Sequence, residues 1–532
     1  MPAEIEIKLA FPPGEAAAFV GRLMRHPALR AVRHGRARTA RVVSTYFDTS
    51  DWSLAGAGIA LRLRNEGGRW LQTVKGPPLP GAGGALHARP EYEWPVAAKR
   101  LDPARLATTP WRKLLGKTVA GGALAPRYTS DIERKTVPLA FADGTSADLC
   151  VDVGAIRVDA PRNAAARRVT RVPVAEIEIE LVAGDPLRLF ELAQAFAVDL
   201  PLSVGAANKA ARGYALARGW PDGWRLPVRA ADVTIDDKAR ADEALAAIAA
   251  ECLHQIAANA AGLLCDRDPE WVHQMRIGTR RLRSCLALDA GALPPDRLDS
   301  LLVEIKWLAG ILGCARDWDV FATETVPPLT AHFAHDAAAA AGLRRLRARA
   351  AAQRRAARTA AVDAVRSPRF QQLVLATGAL CTVPRTARAA PGAPDAPNPV
   401  ALPAKAFARA LLARRHRKLL RRTALLAHGT REERHAVRIA AKKLRYAAEF
   451  FAPMFPPKRA REYLGALAAL QDVLGRYNDG ATATRLALAI DRGENGAAAG
   501  IVRGWVAAQA AALEPELATA HRRFAKAKRF WT

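Results

Sequence analysis

Two short segments of this chain alternate acidic and apolar residues in a pattern that suits metal binding. Glu4-Ile-Glu6-Ile-Lys8 places its charged side chains on one face of a β-strand and its isoleucines on the other. Positions 176–180 repeat the alternation as Glu-Ile-Glu-Ile-Glu, without a lysine. Carboxylates that share a strand face repel each other unless a cation lies between them. Two such strands facing each other therefore predict a site for a divalent cation.

Further strand-like segments mix acids and bases on one face. Arg62 and Arg64 share a face of one segment, Lys75 belongs to the next, and Glu91 and Glu93 share a face of a third. A half-buried strand with its polar side in water shows the same alternation, so each segment alone is ambiguous. Together they favour a closed sheet with the charged face inward. Because buried unpaired charge is costly, that interior must be hydrated and internally compensated, and an anionic ligand with its metal ions would complete the balance.

The N-terminal part of the chain, positions 1–218, predicts an antiparallel sheet or barrel with attached helices. Helical patterns occur at 14–25 and 186–196, and short β-like segments occur at 42–47, 60–64, 70–74, 87–96, 148–153, 157–158, 171–174 and 175–181. The turn-rich segment 219–227 predicts a domain boundary. We therefore expect a first domain at 1–218, a linker at 219–230 and an all-helical domain at 231–532, where Ala, Leu and Arg recur at helical spacing.

The helical half contains an internal repeat in which position 273 aligns with position 435 and the register continues without a gap. The aligned segments are His273-Gln-Met-Arg276-Ile-Gly-Thr-Arg280-Arg-Leu-Arg283 and His435-Ala-Val-Arg438-Ile-Ala-Ala-Lys442-Lys443-Leu-Arg445. His254 aligns with His416 in the same register. We expect one copy at about 231–386, a proline-rich linker at 387–403 and a second copy at about 404–532, packed about a pseudo-twofold axis.

The repeated segment predicts a surface that binds anions. On a helix its histidine and basic residues lie within about 80° of arc, where like charges repel unless an anion lies between them. Charge composition agrees, since positions 225–532 carry 49 basic and 29 acidic side chains (net +20) and positions 1–224 carry 31 and 22 (net +9). A solvated basic face is the alternative. Nucleic acid is disfavoured as the partner because no aromatic residues for base stacking are interleaved with the bases.

The cysteine pattern and the apolar segments of the chain indicate where in the cell the protein is located. The six cysteines are scattered singly and form no C-x-x-C pair, so neither a zinc site nor a disulfide framework is predicted. The apolar segment 244–264 contains Glu251, His254, Gln255 and Asn259, which favours a buried helix over a membrane span. With no signal peptide recognised, we expect a cytoplasmic protein without a membrane partner.

The segment 1–215 resembles the CYTH family of triphosphate tunnel metalloenzymes. The resemblance rests on an ordered set of motifs: Glu4-x-Glu6-x-Lys8, Tyr46-Phe-Asp-Thr49, Leu61-Arg-Leu-Arg64, Gln72-Thr-Val-Lys-Gly76, Glu91-x-Glu93 and Glu176-x-Glu178-x-Glu180. It implies an α+β domain built on an eight-stranded antiparallel β-tunnel. The charged interior of such a tunnel would hold a triphosphate together with Mg²⁺ or Mn²⁺.

The resemblance also implies residue roles. Metal ligands would be Glu4, Glu6, Glu176, Glu178 and Glu180, and the phosphate-binding residues would be Arg62, Arg64, Lys75, Arg134 and Lys209. The catalytic set would be Glu4, Glu6, Lys8, Glu91, Glu93 and Asp152. Which of the acids at 176–180 and at 91–93 are used is left open. The implied reaction is hydrolysis of inorganic triphosphate to pyrophosphate and phosphate. The alternatives are a thiamine or nucleoside triphosphatase, an adenylate cyclase, or a non-enzymatic polyphosphate-binding protein.

The segment 230–532 resembles the CHAD domain, a helical module commonly fused to CYTH domains. The resemblance implies a helical bundle whose basic groove binds inorganic polyphosphate. The residues it assigns to that groove are His273, Arg276, Arg280, Arg283, His416, His435, Arg438, Lys442, Lys443 and Arg445. Asp317 and Asp479 are expected to cap helices or to pair with these bases. Assembly into a homo-oligomer is left open.

Overall fold

The computed structural model describes residues 3–79, 85–120, 124–158, 171–204, 208–219, 226–288, 295–382, 402–424, 426, 430–491 and 497–532. The predicted linker at 387–403 lies outside these ranges except for its last two residues, and so do residues 220–225 of the predicted linker at 219–230. The chain forms two compact units. Unit 1 contains Met1–Val228, Leu253–Arg267 and Val365–Val383, and unit 2 contains Arg229–Cys252, Asp268–Ala364 and Pro384–Thr532.

Unit 1 is built on a closed antiparallel sheet. Its strands are β1 (Ala3–Ala10), β2 (Arg38–Asp48), β3 (Ala60–Glu66), β4 (Arg69–Lys75), β5 (Leu86–Val96), β6 (Ala125–Ala140), β7 (Ser146–Arg157), β8 (Arg171–Ala183) and β9 (Ser203–Val204). The sheet order is β5-β4-β3-β2-β6-β7-β8-β1-β9. Because β1 also pairs with β5, the first eight strands form a barrel and β9 adds only a short extension to β1. The predicted eight-stranded tunnel is confirmed.

The longest strand of the barrel is absent from the segments predicted above. Strand β6 runs for 16 residues and pairs with β2 on one side and β7 on the other. Prolines at both ends and the charged sequence Asp131-Ile-Glu-Arg-Lys135 hide its alternation. Two further predictions were wrong in extent, because Arg157 is only the last residue of β7 and positions 171–181 form one strand rather than two.

The outer face of the barrel is apolar and covered by helices, which leaves the charged face inward. The helices of unit 1 are α1 (Ala16–Arg25), α2 (Pro27–Val32), α3 (Ser53–Gly56), α4 (Pro103–Leu106), α5 (Arg112–Ala120), α6 (Leu187–Asp199) and α7 (Lys209–Ala217). Helix α6 packs against β1 and β8, and the outward side chains Ile7, Leu9, Ile177 and Ile179 are fully buried. Burial of this apolar surface stabilises the closed sheet.

The helical half contains α8 (Ala241–Cys265), α9 (Pro269–Leu286), α10 (Pro295–Val320), α11 (Val326–His332), α12 (Ala337–Arg366), α13 (Pro368–Thr382), α14 (Ala404–Thr423), α15 (Arg431–Phe451), α16 (Pro457–Ile490) and α17 (Ala497–Ala525). In the register that aligns position 273 with position 435, α8, α9 and α10 correspond to α14, α15 and α16. Helix α9 contacts α15 and α10 contacts α16. Equivalent helices therefore meet in pairs, as a pseudo-twofold arrangement predicts.

Helix α13 belongs to unit 1, where it packs against α6 and β9. The Val204 amide donates to Gln371 Oε1 at 2.8 Å, and Gln372 Nε2 donates to the Gln194 carbonyl at 2.7 Å. Helix α8 is long and apolar enough to span a membrane by length and composition, but 72% of its most apolar window is buried within the protein.

Gly378 on α13 permits close packing against α6. A Cβ atom added there would lie 2.6 Å from Cε1 of Phe190, whose side chain is fully buried. We expect Gly378→Ala to destabilise the protein by about 1–3 kcal/mol because the ring or the helix must shift. The measurement is the midpoint of urea unfolding.

Gly465→Ala on α16 is the matched control, because its added Cβ would meet no atom within 4 Å. That change should be neutral or stabilise by about 0.5–1 kcal/mol through helix propensity. Equal unfolding midpoints for the two variants would contradict the assigned packing.

Candidate functional site

The barrel encloses a cavity of about 690 Å³ lined by charged side chains from all eight strands. The registers between strands set which side chains are neighbours. Glu6 on β1 lies directly opposite Glu180 on β8, and Glu180 lies opposite Asp148 on β7. Three carboxylates therefore form a row across three adjacent strands of the cavity wall. We call Glu6, Glu180 and Asp148 the acidic row.

The acidic row is short of positive charge. Oε2 of Glu6 is buried and makes no hydrogen bond within the described structure. Burial raises the pKa of Glu6 to about 7; Lys8, 2.9 Å from the other oxygen, lowers it, but the neighbouring carboxylates of Glu178 and Glu4 add to the effect of burial. Burial and the charge of Glu4 also raise the pKa of Glu180. Because the ionised forms of Glu6 and Glu180 are disfavoured in this way, the acidic row is a suitable site for a cation.

Bases line the part of the cavity formed by β3, β4 and β5. Nζ of Lys75 lies 2.6 Å from the Glu4 carboxylate and 3.4 Å from Glu91. Burial raises the pKa of Glu4, but Lys75 and Lys8 outweigh it and hold the value at about 2. Arg62 lies 3.6 Å from Glu91.

Arg64 completes this basic part of the cavity. Its guanidinium contacts Glu93 at 3.1 Å, and Glu93 also accepts a hydrogen bond from Thr73 Oγ1 at 3.0 Å. Glu91 and Glu93 thus both orient bases in the structure. The sequence left open which of the two does so.

A second acidic group is already neutralised by lysine. Oxygen atoms of Asp152, Glu176 and Glu178 lie within 4.8 Å of one another. Nζ of Lys209 lies among them, 2.6 Å from Asp152 and 2.9 Å from Glu178, and it also contacts Glu176. The three carboxylates hold the pKa of Lys209 well above its usual value despite burial. Lys209 is the first residue of α7, which Asn208 caps by accepting from the Ala211 amide at 2.8 Å.

Arg134 and Lys8 extend this second acidic group toward the cavity. Arg134 contacts Asp152 at 2.6 Å and Glu178 at 2.5 Å. Lys8 contacts Glu178 and lies 2.9 Å from Glu6. Glu178 is thus surrounded by three cations, and these cations hold its pKa well below the usual value although burial opposes them. Its charge is satisfied without a metal ion.

Most of the site residues predicted from the sequence line the barrel cavity. These are Glu4, Glu6, Lys8, Arg62, Arg64, Lys75, Glu91, Glu93, Arg134, Glu178, Glu180 and Lys209. Their chemical roles stay predictions. Glu176 and Asp152 are buried and do not line the cavity. The assignment of Glu176 as a metal ligand does not fit this placement, since its carboxylate faces Lys209 and Arg212.

Sequence reasoning missed several polar residues of the lining. Among them are Arg38, Ser44, Tyr46, Arg89, Ser130 and Asp148. Asp148 had a usable signal, because it shares the strand face of Asp152. The others needed the register between strands, which a single strand does not reveal.

Unit 2 contains a second charged pocket, of about 490 Å³, lined by residues from both copies of the repeat. The first copy contributes His273, Arg276 and Arg280, and the second contributes Arg438, Lys442 and Arg445. Glu449 holds Arg445 at 2.6 Å. Asp317 lies 4.0 Å from Arg276, so it pairs with a base of this pocket instead of capping a helix. Within the described ranges, no carboxylate forms an ion pair with Arg280, Arg438 or Lys442.

The unpaired bases of this pocket disfavour one another's charge. Burial and the charges of Arg280, Arg438 and Arg276 lower the pKa of Lys442 to about 6. Burial and Arg280 lower the pKa of Arg276 to about 10. Burial and Arg316 lower the pKa of His273. An anion in the pocket would relieve this repulsion and restore the charged forms.

Four residues assigned to the anion-binding surface lie outside this pocket. The structure contradicts the assignment of His416, which is buried among aromatic rings with Nδ1 2.8 Å from the hydroxyl of Tyr463. Burial lowers the pKa of His416, so a neutral core histidine is the better description. His435 lines an adjoining groove together with Arg438. Arg283 and Lys443 are exposed and do not line the pocket.

Comparison with known proteins identifies two domain families. Residues 2–214 match the family model of the CYTH domain, and residues 247–488 match that of the CHAD domain. An inorganic triphosphatase from Haemophilus influenzae is 29% identical over 191 residues, which cover 34% of this chain and 49% of that protein. The chain thus spans about half the length of this curated relative.

Two solved structures are also similar. The CHAD domain from the plant Ricinus communis is 34% identical, with a TM-score of 0.49 over 58% of this chain and 100% of that chain. A putative adenylyl cyclase from Hippeastrum, described as having a dominant triphosphatase activity, is 20% identical, with a TM-score of 0.29 over 42% of this chain and 98% of that chain.

The ion pairs around Lys209 predict a large structural effect of its removal. We expect Lys209→Met to destabilise unit 1 by about 3–5 kcal/mol in the absence of divalent cations, because three buried carboxylates lose a shared cation. Urea unfolding measures the change. Arg41→Met is the control, since it removes a cation that is also ion-paired, at 2.8 Å to Asp131, but on an exposed side chain. A loss of stability as large in the control would refute the proposed compensation.

Proposed function

This chain belongs to the CYTH and CHAD families, with one domain of each, and we propose that the CYTH tunnel hydrolyses inorganic triphosphate while the CHAD domain binds inorganic polyphosphate. The products would be pyrophosphate and phosphate, and Mg²⁺ or Mn²⁺ would be required. One observation carries the enzymatic part: a single enclosed cavity holds an acidic row and an array of arginines and lysines. A cytoplasmic location, where these anions would be met, is part of the proposal.

The acidic row fits a divalent cation. Glu6 Oε2 is buried without a partner, and carboxylate oxygens are the ligands that Mg²⁺ and Mn²⁺ prefer. Glu6, Glu180 and Asp148 would hold the ion, with Glu4 close by. The group at Asp152, Glu176 and Glu178 fits less well because Lys209 already occupies its centre. When bound, the cation would supply neutralisation of phosphate oxygens and activation of water.

The bases of the cavity would bind and orient the triphosphate. Arginine guanidinium groups match two phosphate oxygens at once, which suits Arg62, Arg64 and Arg134, and Lys75 adds a point charge. Each of these bases is held by carboxylates in the structure, so its position is set before the substrate arrives. Preorganised cations stabilise the charge that spreads over the phosphoryl oxygens during transfer. No covalent nucleophile is needed.

The mixed lining also favours an enzyme over a protein that only binds phosphate. A pure anion binder would gain nothing from Glu6, Glu180 and Asp148 at its phosphate site, because like charges repel. Their presence supports a site that takes the anion together with a metal ion.

The pocket of unit 2 supports the polyphosphate part of the proposal. Its bases come from both repeat copies, and burial with mutual repulsion lowers the pKa of Lys442 and Arg276 in the absence of an anion. A flexible chain of phosphates supplies charge at close spacing without any need for aromatic stacking. Tyr446 is the one aromatic side chain besides Phe321 among the described residues that line this pocket.

The substrate proposal is tested by phosphate release from triphosphate, ATP, thiamine triphosphate and long-chain polyphosphate, each with Mg²⁺ or Mn²⁺. We expect triphosphate to be hydrolysed most efficiently and the reaction to stop when the metal is chelated. A clear preference for ATP would overturn the substrate assignment.

The acidic row gives a second test within the same assay. Glu6→Gln should lower triphosphate hydrolysis by about 100-fold because the row loses a charged oxygen ligand. Glu66→Gln is the control, since Glu66 lines the same cavity but stands outside the acidic row. Full activity of Glu6→Gln at saturating metal would contradict the assignment of the metal site.

The pocket of unit 2 gives an independent prediction. Arg276→Ala combined with Arg438→Ala should weaken polyphosphate binding roughly 100-fold, because two charge-assisted contacts are lost. Triphosphate hydrolysis should stay unchanged. Titration calorimetry with polyphosphate and the phosphate-release assay measure the two effects. Equal polyphosphate affinity in the variant and the unaltered protein would disprove the pocket as the binding site.

A further inference from the structure

Helix α14 carries a basic face outside the pocket of unit 2. Arg415, Lys418 and Arg422 lie at positions i, i+3 and i+7, so they share one side of the helix. Lys443 on α15 and Arg283 on α9 are their neighbours, because the charges of Arg415, Lys418, Arg422 and Arg283 all act on Lys443. We call these five residues the α14 patch.

The arginines of the α14 patch are fixed in place. Arg415 donates a hydrogen bond to the backbone carbonyl of Lys443, and Arg422 donates to the carbonyl of Ala436 at 2.9 Å. These bonds hold both guanidinium groups against α15. Fixed donors lose less conformational entropy when they bind an anion than free surface side chains do.

The α14 patch has no acidic partner in the part of the chain that the structure describes. None of its five bases forms an ion pair with a carboxylate there. Burial lowers the pKa of Lys443, and each of the four neighbouring charges that lower it further is a cation. A solvated basic face would normally carry acids among its bases, so this concentration of like charge indicates a site that an anion completes.

The other copy of the repeat uses the same helix face differently. The residues of α8 that correspond to Arg415, Lys418 and Arg422 are Leu253, Ile256 and Ala260, which are 1%, 2% and 3% exposed. The first copy buries this face in a core, whereas in the second copy the face is basic, with Lys418 exposed and Arg415 and Arg422 half-buried. A helix face that is not packed in a core needs only polar side chains of any kind to be soluble. Solubility alone therefore does not explain three bases without acids on this face.

Lys443 shows the same divergence between copies. Its counterpart in the first copy is Arg281, which is buried and contacts Glu449 at 2.9 Å. Lys443 is exposed instead and faces the bases of α14. Glu449 belongs to the second copy, and the position of the first copy that aligns with it is Ala287, so Lys443 has no equivalent acid to face.

The α14 patch adjoins the pocket of unit 2 along two helices, α9 and α15. On α9 the pocket residue Arg280 precedes the patch residue Arg283 by less than one turn, and on α15 the pocket residue Lys442 is next to Lys443. A linear anion that fills the pocket and extends beyond it therefore meets the patch. A short anion that only fills the pocket does not.

We infer that the α14 patch is a second binding site that selects long inorganic polyphosphate chains over short ones, an inference that rests on the proposed polyphosphate binding by the pocket. Engagement of both sites by one chain raises affinity through effective concentration, without any new contact in the pocket. Single-stranded RNA is the weaker candidate, since the aromatic and histidine side chains of α14, Phe407 and His416, are both buried.

The test removes three charges of the patch and leaves the two arginines that bind the backbone. The patch variant carries Arg283→Gln, Lys418→Gln and Lys443→Gln. The control variant carries Arg344→Gln, Arg345→Gln and Arg347→Gln, which remove the same charge from exposed positions of α12 in the same unit. All proteins compared, including the parent, carry Arg62→Ala and Lys75→Ala to suppress binding in the tunnel.

Titration calorimetry without divalent cations then compares long-chain polyphosphate with tripolyphosphate and with single-stranded RNA. We expect the patch variant to bind the long chain about tenfold more weakly than the control variant does. Binding of tripolyphosphate should be equal in both variants.

Three results would overturn the inference. Long-chain affinity that is equal in the patch and control variants would show that the patch takes no part. RNA bound more tightly than polyphosphate, and lost in the patch variant, would assign the patch to another polymer. If the parent bound polyphosphate of no length, the proposed polyphosphate binding by unit 2 would itself be refuted. The parent shows this outcome on its own, without either variant.

Discussion

Closing the barrel with its charged face inward imposes the constraint on which the rest of unit 1 depends. Every carboxylate inside must find a cation, because an unpaired buried charge costs several kcal/mol. Lys209, Arg134 and Lys8 satisfy the carboxylates of Asp152, Glu176 and Glu178. The compensation is incomplete at Glu6, which has only Lys8 beside it, and at Glu180, and the pKa values of both carboxyl groups rise. The incomplete part of the network is therefore where a divalent cation and its anionic substrate would complete the balance.

The opposite imbalance characterises the pocket of unit 2. There bases from two repeat copies converge, and the pKa of Lys442 falls to about 6 because burial and neighbouring arginines oppose its charge. An anion alone would relieve that repulsion, without a metal ion. The two units thus differ in their charge balance: unit 1 encloses a mixed cavity suited to a metal-assisted reaction, and unit 2 has a cationic pocket suited to binding an anion without chemistry.

Strand alternation and the repeated basic segment were enough to predict the barrel, its charged interior and most of the charged side chains that line the cavity. The pattern carried that information because the side-chain period of a strand is two and that of a helix is 3.6. Asp148 was not singled out, since its place beside Glu180 depends on the pairing of β7 with β8. His416 was assigned wrongly because the rings that bury it, Phe524 and Trp531, come from the distant end of the chain. Contacts between remote segments leave no local period to detect.

We propose that the metal ion binds where buried negative charge is least compensated. The most direct measurement is the anomalous X-ray signal of Mn²⁺ in crystals of the protein grown with triphosphate. We expect a peak among the carboxylates of Glu6, Glu180 and Asp148, with Lys209 still bonded to its three acids. A peak among Asp152, Glu176 and Glu178 with Lys209 displaced, or no peak inside the barrel, would contradict it.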